Sequence, residues 1–369
     1  MGTIKRTFAN SLTGTGKLDA TNLDSNIPAA NIADASVTNV TTLPESLGQA
    51  IKSVAGSPPS QAVGDVWYNT ITGTLKNYGV VAAAWASGGA MGTGTRAGAG
   101  AGIQTAALGF AGYGPTGNGE RNITQEYNGT SWSPGGNMGT ARFNIGGCGT
   151  QTAGLGFGGY SNPIAPKGPL TEEYNGSAWT SGGNLNTGRH GISGAGIQTA
   201  ALGFGGYVPG GGGPQTATEE YNGSAWTSNP TGLGTARYTL AGAGTQTAGL
   251  AFGGNPPGPG RIATEEYDGS TWTAGGALNT GRNGLGGDGS QTAAIAFGGT
   301  PGPTGATELY DGTSWTSSTS LTTPRGALGS AGTQTASLAF GGSNPGPTNL
   351  TATEEFTGAF NAIKTVTTS

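Results

Sequence analysis

The chain has 369 residues, of which only 9% are charged, a formal net charge of −4, and 76 glycines with no strict Gly-X-Y period. This composition excludes a collagen triple helix and argues against nucleic acid as a main partner, because phosphate binding needs a concentrated basic face. A single cysteine, Cys148, and a single histidine, His190, exclude an intramolecular disulfide and a His/Cys metal site, so packing must supply the stability and no cofactor or metal is expected.

The opening Met1-Gly2-Thr3-Ile4-Lys5-Arg6 is basic but is not followed by a signal-type apolar run. No later stretch approaches the length of a membrane span, so no membrane insertion is expected. Residues 1–62 read as a polar, extended arm with short apolar groups around Ile27, Ile32, Val37 and Leu43. A helix is predicted over Leu43 to Val54, capped by Thr42 with Glu45 three residues on, with Leu47, Ile51 and Val54 at helical spacing and Gly56 ending it. That is too little to bury a core, so the arm needs a partner, either its own copies or another protein.

Val63 to Thr70 and Gly73 to Tyr78 bracket a Thr/Gly turn and predict a β-hairpin over residues 63–79. The run Gly64-Asp65-Val66-Trp67-Tyr68-Asn69-Thr70 followed by Gly73-Thr74-Leu75-Lys76 resembles a segment common in tail-fibre and other virion proteins of tailed bacteriophages. Asn31 to Thr38 and Thr3 to Phe8 are similar to N-terminal regions of such proteins, especially from phages of marine bacteria. The likeness covers roughly the first quarter of the chain. It implies assembly in the host cytoplasm into a virion, on the tail or the outer surface.

The rest of the chain is repetitive. A Gln-Thr core recurs at Gln104, Gln151, Gln198, Gln246, Gln291 and Gln334, giving six copies with a period of 43 to 48 residues. Each copy reads as four strands: a Gly-rich first strand, an Ala/Leu/Phe second, a Thr-Glu-Glu-Tyr third and a fourth carrying Trp. Asn-Gly or Asp-Gly joins the third to the fourth at Asn128, Asn175, Asn222, Asp268 and Asp311, which predicts a type I′ turn. This period, with Gly-Gly, Tyr and then Trp, resembles the kelch repeat, in which each copy is one propeller blade. The resemblance implies an all-β, six-bladed kelch-like β-propeller over residues 80–369. The repeat style also resembles kelch-like proteins of the same phage group.

Spacing predicts how the ring closes. Five repeat tyrosines precede a Trp by five residues, whereas Phe356 has Asn361 at that place. Trp85 precedes the first repeat, so the strand around Val80 to Ala86 is expected to be the outer strand of the sixth blade. Both chain ends then leave from the face with the tight turns. The long, variable, Pro/Gly-rich 2-3 loops occupy the opposite face.

The repeated residues are expected to build the scaffold. Arg96, Arg142, Arg189, Arg237, Arg282 and Arg325 read as one repeat position, and Glu126, Glu173, Glu220, Glu266, Glu308 and Glu355 as another. A sialidase-like arginine cluster or a glycosidase pair would need unequal positions that converge, so structural pairing is favoured for both sets. The Asp268 motif falls one residue short of sialidase Asp-box spacing. A kelch-type copper oxidase would need several histidines, and His190 alone reads as a loop filler. Cys148 reads as a small buried residue, and no enzymatic activity is expected.

Recognition is expected at the loop face, where Tyr113, Tyr160 and Tyr207 begin three loops and Arg121, Lys167 and Arg261 supply charge. Two readings of these tyrosines stay open: a surface for a host glycan or protein receptor, or a cover for the blade ends. The function expected is that of a virion structural protein, a tail fibre or receptor-binding component. It would attach to other virion proteins through residues 1–62 and assemble as a homo-oligomer, with a trimer favoured. A capsid decoration protein is the alternative, and a glycan depolymerase a more remote one.

Overall fold

The computed structural model describes residues 52–365 apart from 59, 116–118, 162–167, 257, 259–260 and 345–348. Every regular element among them is a β-strand, most of them in four-stranded sheets. The chain divides into two compact units, Met1–Ala82 with Ala359–Ser369, and Ala83–Gly358.

In the first unit, β1 (Lys52–Val54), β2 (Val66–Asn69) and β3 (Thr74–Val81) join the C-terminal strand Phe360–Thr365 in one sheet. The expected hairpin is present, with Val66 opposite Asn77 and Asn69 opposite Thr74. Trp67 is buried, and its indole N–H donates to the Gly56 carbonyl at 3.2 Å. Most of the helix expected over Leu43 to Val54 lies outside the described residues, but its end is corrected. Lys52–Val54 is a strand parallel to β2, and the Val54 carbonyl accepts from the Thr70 N–H at 2.9 Å. Pairing along an open strand edge satisfies this backbone without helical hydrogen bonds. A further difference concerns the chain's end: Phe360–Thr365 pairs with β3 from Val81 opposite Phe360 to Lys76 opposite Thr365, so it belongs to this unit and not to the repeats.

The second unit is a succession of four-stranded antiparallel sheets, numbered here 1 to 6 in chain order, a repeated pattern consistent with a propeller. Sheet 3 represents the pattern, with strands Ser193–Ile197, Ala200–Phe204, Thr218–Tyr221 and Trp226–Asn229. Sheet 6 takes its first three strands from Gly329–Gly332, Ala336–Phe340 and Thr353–Thr357, and its fourth is β4, Ala84–Ser87. The strand starts at Ala84, not near Val80, because Val80 and Val81 are held in β3. Trp85 lies opposite Phe356 and Ala84 opposite Thr357, so the chain enters and leaves this unit at the end of sheet 6 that carries the tight turns.

Three side chains join each of sheets 1 to 5 to its predecessor, and two of the three recur in sheet 6, where Phe356 stands in place of the tyrosine. The Gln198 amide donates to the Gly154 and Tyr174 carbonyls of sheet 2 at 2.9 and 2.7 Å, and all six repeat glutamines do the equivalent. Gln104 of sheet 1 reaches Ser337 and Phe356 of sheet 6. The Trp226 indole donates to Thr171 of sheet 2 at 2.9 Å and packs on Phe157 of sheet 2 with centroids 4.8 Å apart. Trp85 makes the equivalent contacts to Thr307 and Phe297 of sheet 5. The Tyr221 hydroxyl donates to Glu173 of sheet 2 at 2.5 Å.

Glycine is required where the first strands meet. A Cβ on Gly100 would lie 2.0 Å from the Ser330 carbonyl oxygen of sheet 6, so no side chain fits there. The hairpin turns differ from expectation. In Asn222-Gly223-Ser224-Ala225 the positive φ falls on Gly223 alone, while the Asn222 Oδ1 accepts from the Ser224 and Ala225 N–H groups. A type I′ turn needs positive φ at both central residues. The asparagine instead sits before the turn and closes it with its side chain, a role that aspartate fills at Asp268.

Trp85 and Trp226 are equally buried, at 6% and 5% exposure. Trp85→Ala is therefore expected to cost about 3 to 5 kcal/mol, as much as Trp226→Ala, read from urea unfolding midpoints. A clearly smaller loss at Trp85 would contradict the equivalence of β4 with the other fourth strands.

Candidate functional site

The repeat arginines and carboxylates prove to be scaffold. Arg142, Arg189, Arg237, Arg282 and Arg325 form ion pairs with Glu172, Glu219, Glu265, Glu308 and Glu354 at 2.6 to 3.0 Å, all with buried side chains. The second oxygen of Glu219 accepts the Asn186 N–H at 2.7 Å, so the pair ties the connector between sheets to the third strand. The sequence-based register is corrected at two points. Arg96 stands eight residues before its glutamine and the other five arginines nine, so the arginine position in sheet 1 is held by Thr95. The backbone agrees: Gly342 N–H donates to the Thr95 carbonyl as Gly206 N–H does to that of Arg237. Gln125 replaces the partnering glutamate and accepts the Thr93 N–H, avoiding a buried charge without a partner.

The second correction divides the carboxylates. Glu308 belongs with the arginine-paired set, while Glu126, Glu173, Glu220, Glu266 and Glu355 accept tyrosine hydroxyls from the neighbouring sheet. Burial and these hydrogen bonds push the hydroxyls of Tyr127, Tyr174, Tyr221 and Tyr310 up to about 12, which keeps them donors. Neither set leaves a carboxylate poised for catalysis.

The loop end is built differently. Each sheet contributes one residue eight positions before its glutamine and one nine positions after it, joined by a short antiparallel bridge. In sheets 1 to 4 these pairs are Arg96/Tyr113, Phe143/Tyr160, His190/Tyr207 and Tyr238/Asn255. In sheets 5 and 6 they are Asn283/Thr300 and Gly326/Ser343. The large residues form one continuous arc. Ring centroids lie 5.2 Å apart from Tyr113 to Phe143, 5.3 Å on to Tyr160, 5.6 Å to His190, 5.3 Å to Tyr207 and 5.2 Å to Tyr238. Arg96 covers the Tyr113 ring at 5.1 Å, and Asn255 bonds the Tyr238 hydroxyl at 2.6 Å. All of these side chains are half-buried. Tyr207 is held by its own two-stranded ribbon, Tyr207–Val208 with Gly213–Pro214.

The arc thus brings together Tyr113, Tyr160 and Tyr207 from the sequence-based candidates. Arg261 joins it through its Nε–H to the Asn255 Oδ1 at 3.1 Å. Arg121 lies beside Gly114, whose Cβ would meet its Nε at 2.4 Å. Lys167 lies outside the described residues. Phe143, His190 and Tyr238 share the repeat position after the arginine, which reads as loop filler in the sequence and is not joined there to the surface tyrosines. The signal available was their constant distance from the repeat glutamine. Burial lowers the pKa of His190, so it stays neutral and acts as another flat ring.

Two further groups complete the inventory. Burial pushes the Cys148 thiol up to about 12, which leaves it inert. Asp288 lines a cavity of about 220 Å³ bounded by the first strands of all six sheets. Its carboxyl accepts the Ser337 hydroxyl and contacts Ser330, and burial pushes it up to about 7. Alanine occupies the equivalent place in four of the other sheets and cysteine in the fifth, as at Ala195 and Cys148. No protein-family model matches the chain, and no curated protein matches it.

Removing one partner of a buried pair strands the other charge. Glu219→Ala is expected to lower stability by about 3 to 5 kcal/mol, and Gln125→Ala in the neutral copy by only about 1 kcal/mol, both measured by urea unfolding. Asp288 gives a pH signature. Its folded value is raised above the unfolded one, so its stabilising contribution is complete at acid pH and is lost as pH climbs from roughly 4 through about 7. Thermal melts should show that loss, on the order of 4 kcal/mol, and Asp288→Asn should flatten it. An unchanged slope in the variant would assign the titration elsewhere.

Proposed function

We propose that this chain is a non-enzymatic structural protein of a tailed-phage particle, a tail fibre or receptor-binding component whose repeat unit is a six-bladed, kelch-like propeller. Contacts between the first and last sheets support the propeller reading. The amide of Gln104 reaches sheet 6, as each other glutamine reaches its predecessor. β4 supplies the outer strand of sheet 6 and so covers the edge of Thr353–Thr357. The observation that carries the functional reading is the contrast between the two ends of the sheets. Residues that recur through the copies are consumed in holding sheets together, whereas the loop end carries an arc of large side chains on four sheets and smaller residues, Asn, Thr, Gly and Ser, on two. Exposed, unequal loops on a rigid scaffold are where recognition is placed.

The chain enters and leaves the repeat unit at the opposite, tight-turn end. This suits a protein attached through residues 1–62 to other virion proteins and presenting its loops outward. The phage-like runs at Thr3 to Phe8, Asn31 to Thr38 and Gly64 to Thr70 supply the particle assignment. A glycan depolymerase is disfavoured because Asp288, the one unrepeated carboxylate on the first strands, faces serines where hydrolysis needs a second carboxylate.

Mass spectrometry of purified particles is expected to find the protein, and antibodies against the loop end to label the tail. Particles that lack it refute the assignment. Sedimentation of the full chain is expected to give a trimer, and a monodisperse monomer would contradict assembly through the arm.

A further inference from the structure

Charge is distributed unevenly within Ala83–Gly358. Five of its arginines are spent in the buried pairs described above. Of the remaining cations of this stretch of sequence, Lys167 lies outside the described residues, while Arg96, Arg121 and Arg261 fall in the segments that form the loop end, where Glu120 is the one carboxylate among the described residues. None of the three described arginines is in an ion pair among the described residues. The tight-turn end, by contrast, exposes Asp268 and Asp311.

The arginines are also placed with respect to the arc. Arg121 and Arg261 occupy the same repeat position, 21 residues before Arg142 and Arg282, and their carbonyls accept the Arg142 and Arg282 N–H groups. They stand on sheets 1 and 4, the two sheets at which the aromatic arc begins and ends. The intervening copies have Gly168 and Gln215 there. Arg96 caps the arc's first ring. A row of rings bracketed by cations, on a protein of net charge −4, is not a by-product of repetition, because sheets 5 and 6 carry Asn, Thr, Gly and Ser at the ring positions.

We infer that the loop end binds an acidic polysaccharide, a uronic-acid polymer lying along the arc from sheet 1 to sheet 4. The apolar faces of its sugar rings would rest on the half-buried aromatics, and its carboxylates would meet Arg96, Arg121 and Arg261. Arginine pairs with carboxylates through two parallel N–H donors, which fixes orientation as well as adding attraction. Single-stranded nucleic acid also combines rings and charge, but it presents one phosphate per base and calls for a continuous basic groove. Three described cations, two on sheet 1 and one on sheet 4 with none between, do not make one. The inference rests on the reading of the loop end as the recognition surface and is independent of the particle to which the protein belongs.

The test is native affinity electrophoresis of the full chain in gels containing alginate, neutral dextran or an oligo-dT strand. Retardation is expected in alginate alone. The triple variant Arg96→Gln, Arg121→Gln, Arg261→Gln should weaken it by about tenfold or more, and Tyr207→Ala should weaken it several-fold. Asp268→Asn with Asp311→Asn at the far end should leave it unchanged. Thermal melts accompany each variant, and the arginine triple, which breaks no buried ion pair, keeps the test decisive if Tyr207→Ala fails to fold. No retardation in alginate, equal retardation in dextran or oligo-dT, or full retention in the arginine triple would overturn the inference. Alginate binding lost in the triple, together with particles lacking the protein, would uphold this site and refute the particle assignment. Particles containing the protein with no alginate binding would do the reverse.

Discussion

Everything in the repeat unit depends on how one sheet is fastened to the next. Each fastening centres on a side-chain amide: a glutamine in the turn between the first two strands donates to two carbonyls of the preceding sheet, as Gln198 does to Gly154 and Tyr174. Each such bond contributes only about 0.5 to 1.5 kcal/mol net, but it recurs at every interface. The amide reaches because the first strands approach closely, and they approach because glycine leaves room, as at Gly100 against Ser330. The high glycine content is therefore a packing device at the sheet interfaces. Its cost in chain entropy is offset by the Trp, Phe and Tyr layer outside it.

Much of this was legible in the sequence, and the parts that were not fail for physical reasons. The strands, the tight-turn and loop ends and the location of Trp85 follow from spacing alone, because each copy must satisfy the same interface. The register errors arose where a copy departs from that interface. Arg96 sits one residue nearer its glutamine than the other arginines and stacks on Tyr113, while Thr95 and Gln125 replace the ion pair together. Glu308 was misassigned because Leu309 follows it where the other copies have a second glutamate. The helix expected near Val54 rested on helical spacing and on local cap and stop residues at Thr42, Glu45 and Gly56. Those local features gave no sign that the segment would find a parallel partner in β2.

The interface between sheets 5 and 6 shows why such departures come in pairs. Elsewhere a tyrosine hydroxyl meets a glutamate on the outside while small apolar residues meet near the first strands. Here Phe356 and Leu309 make the outer contact apolar. The Asp288–Ser337 hydrogen bond makes the inner one polar. Losing a hydroxyl on one side without losing the carboxylate on the other would strand a polar group, so both change. This is also the sheet to which the chain's early strand β4 is added.

Matched replacement of that kind marks a position as structural, and its absence marks the loop end as something else. Phe143, His190 and Tyr238 differ from Asn283 and Gly326 at one repeat position, with no compensating change in the glutamine, tryptophan or threonine contacts beneath them. The interface is indifferent to what stands there, so the scaffold does not account for the choice of large flat residues on four sheets. A half-buried ring that contributes little to the fold below it retains an exposed apolar surface, and such surface is costly in water unless something covers it. The arginines at the two limits of the arc indicate the character of that cover: it carries negative charge, and it is long enough to span from sheet 1 to sheet 4.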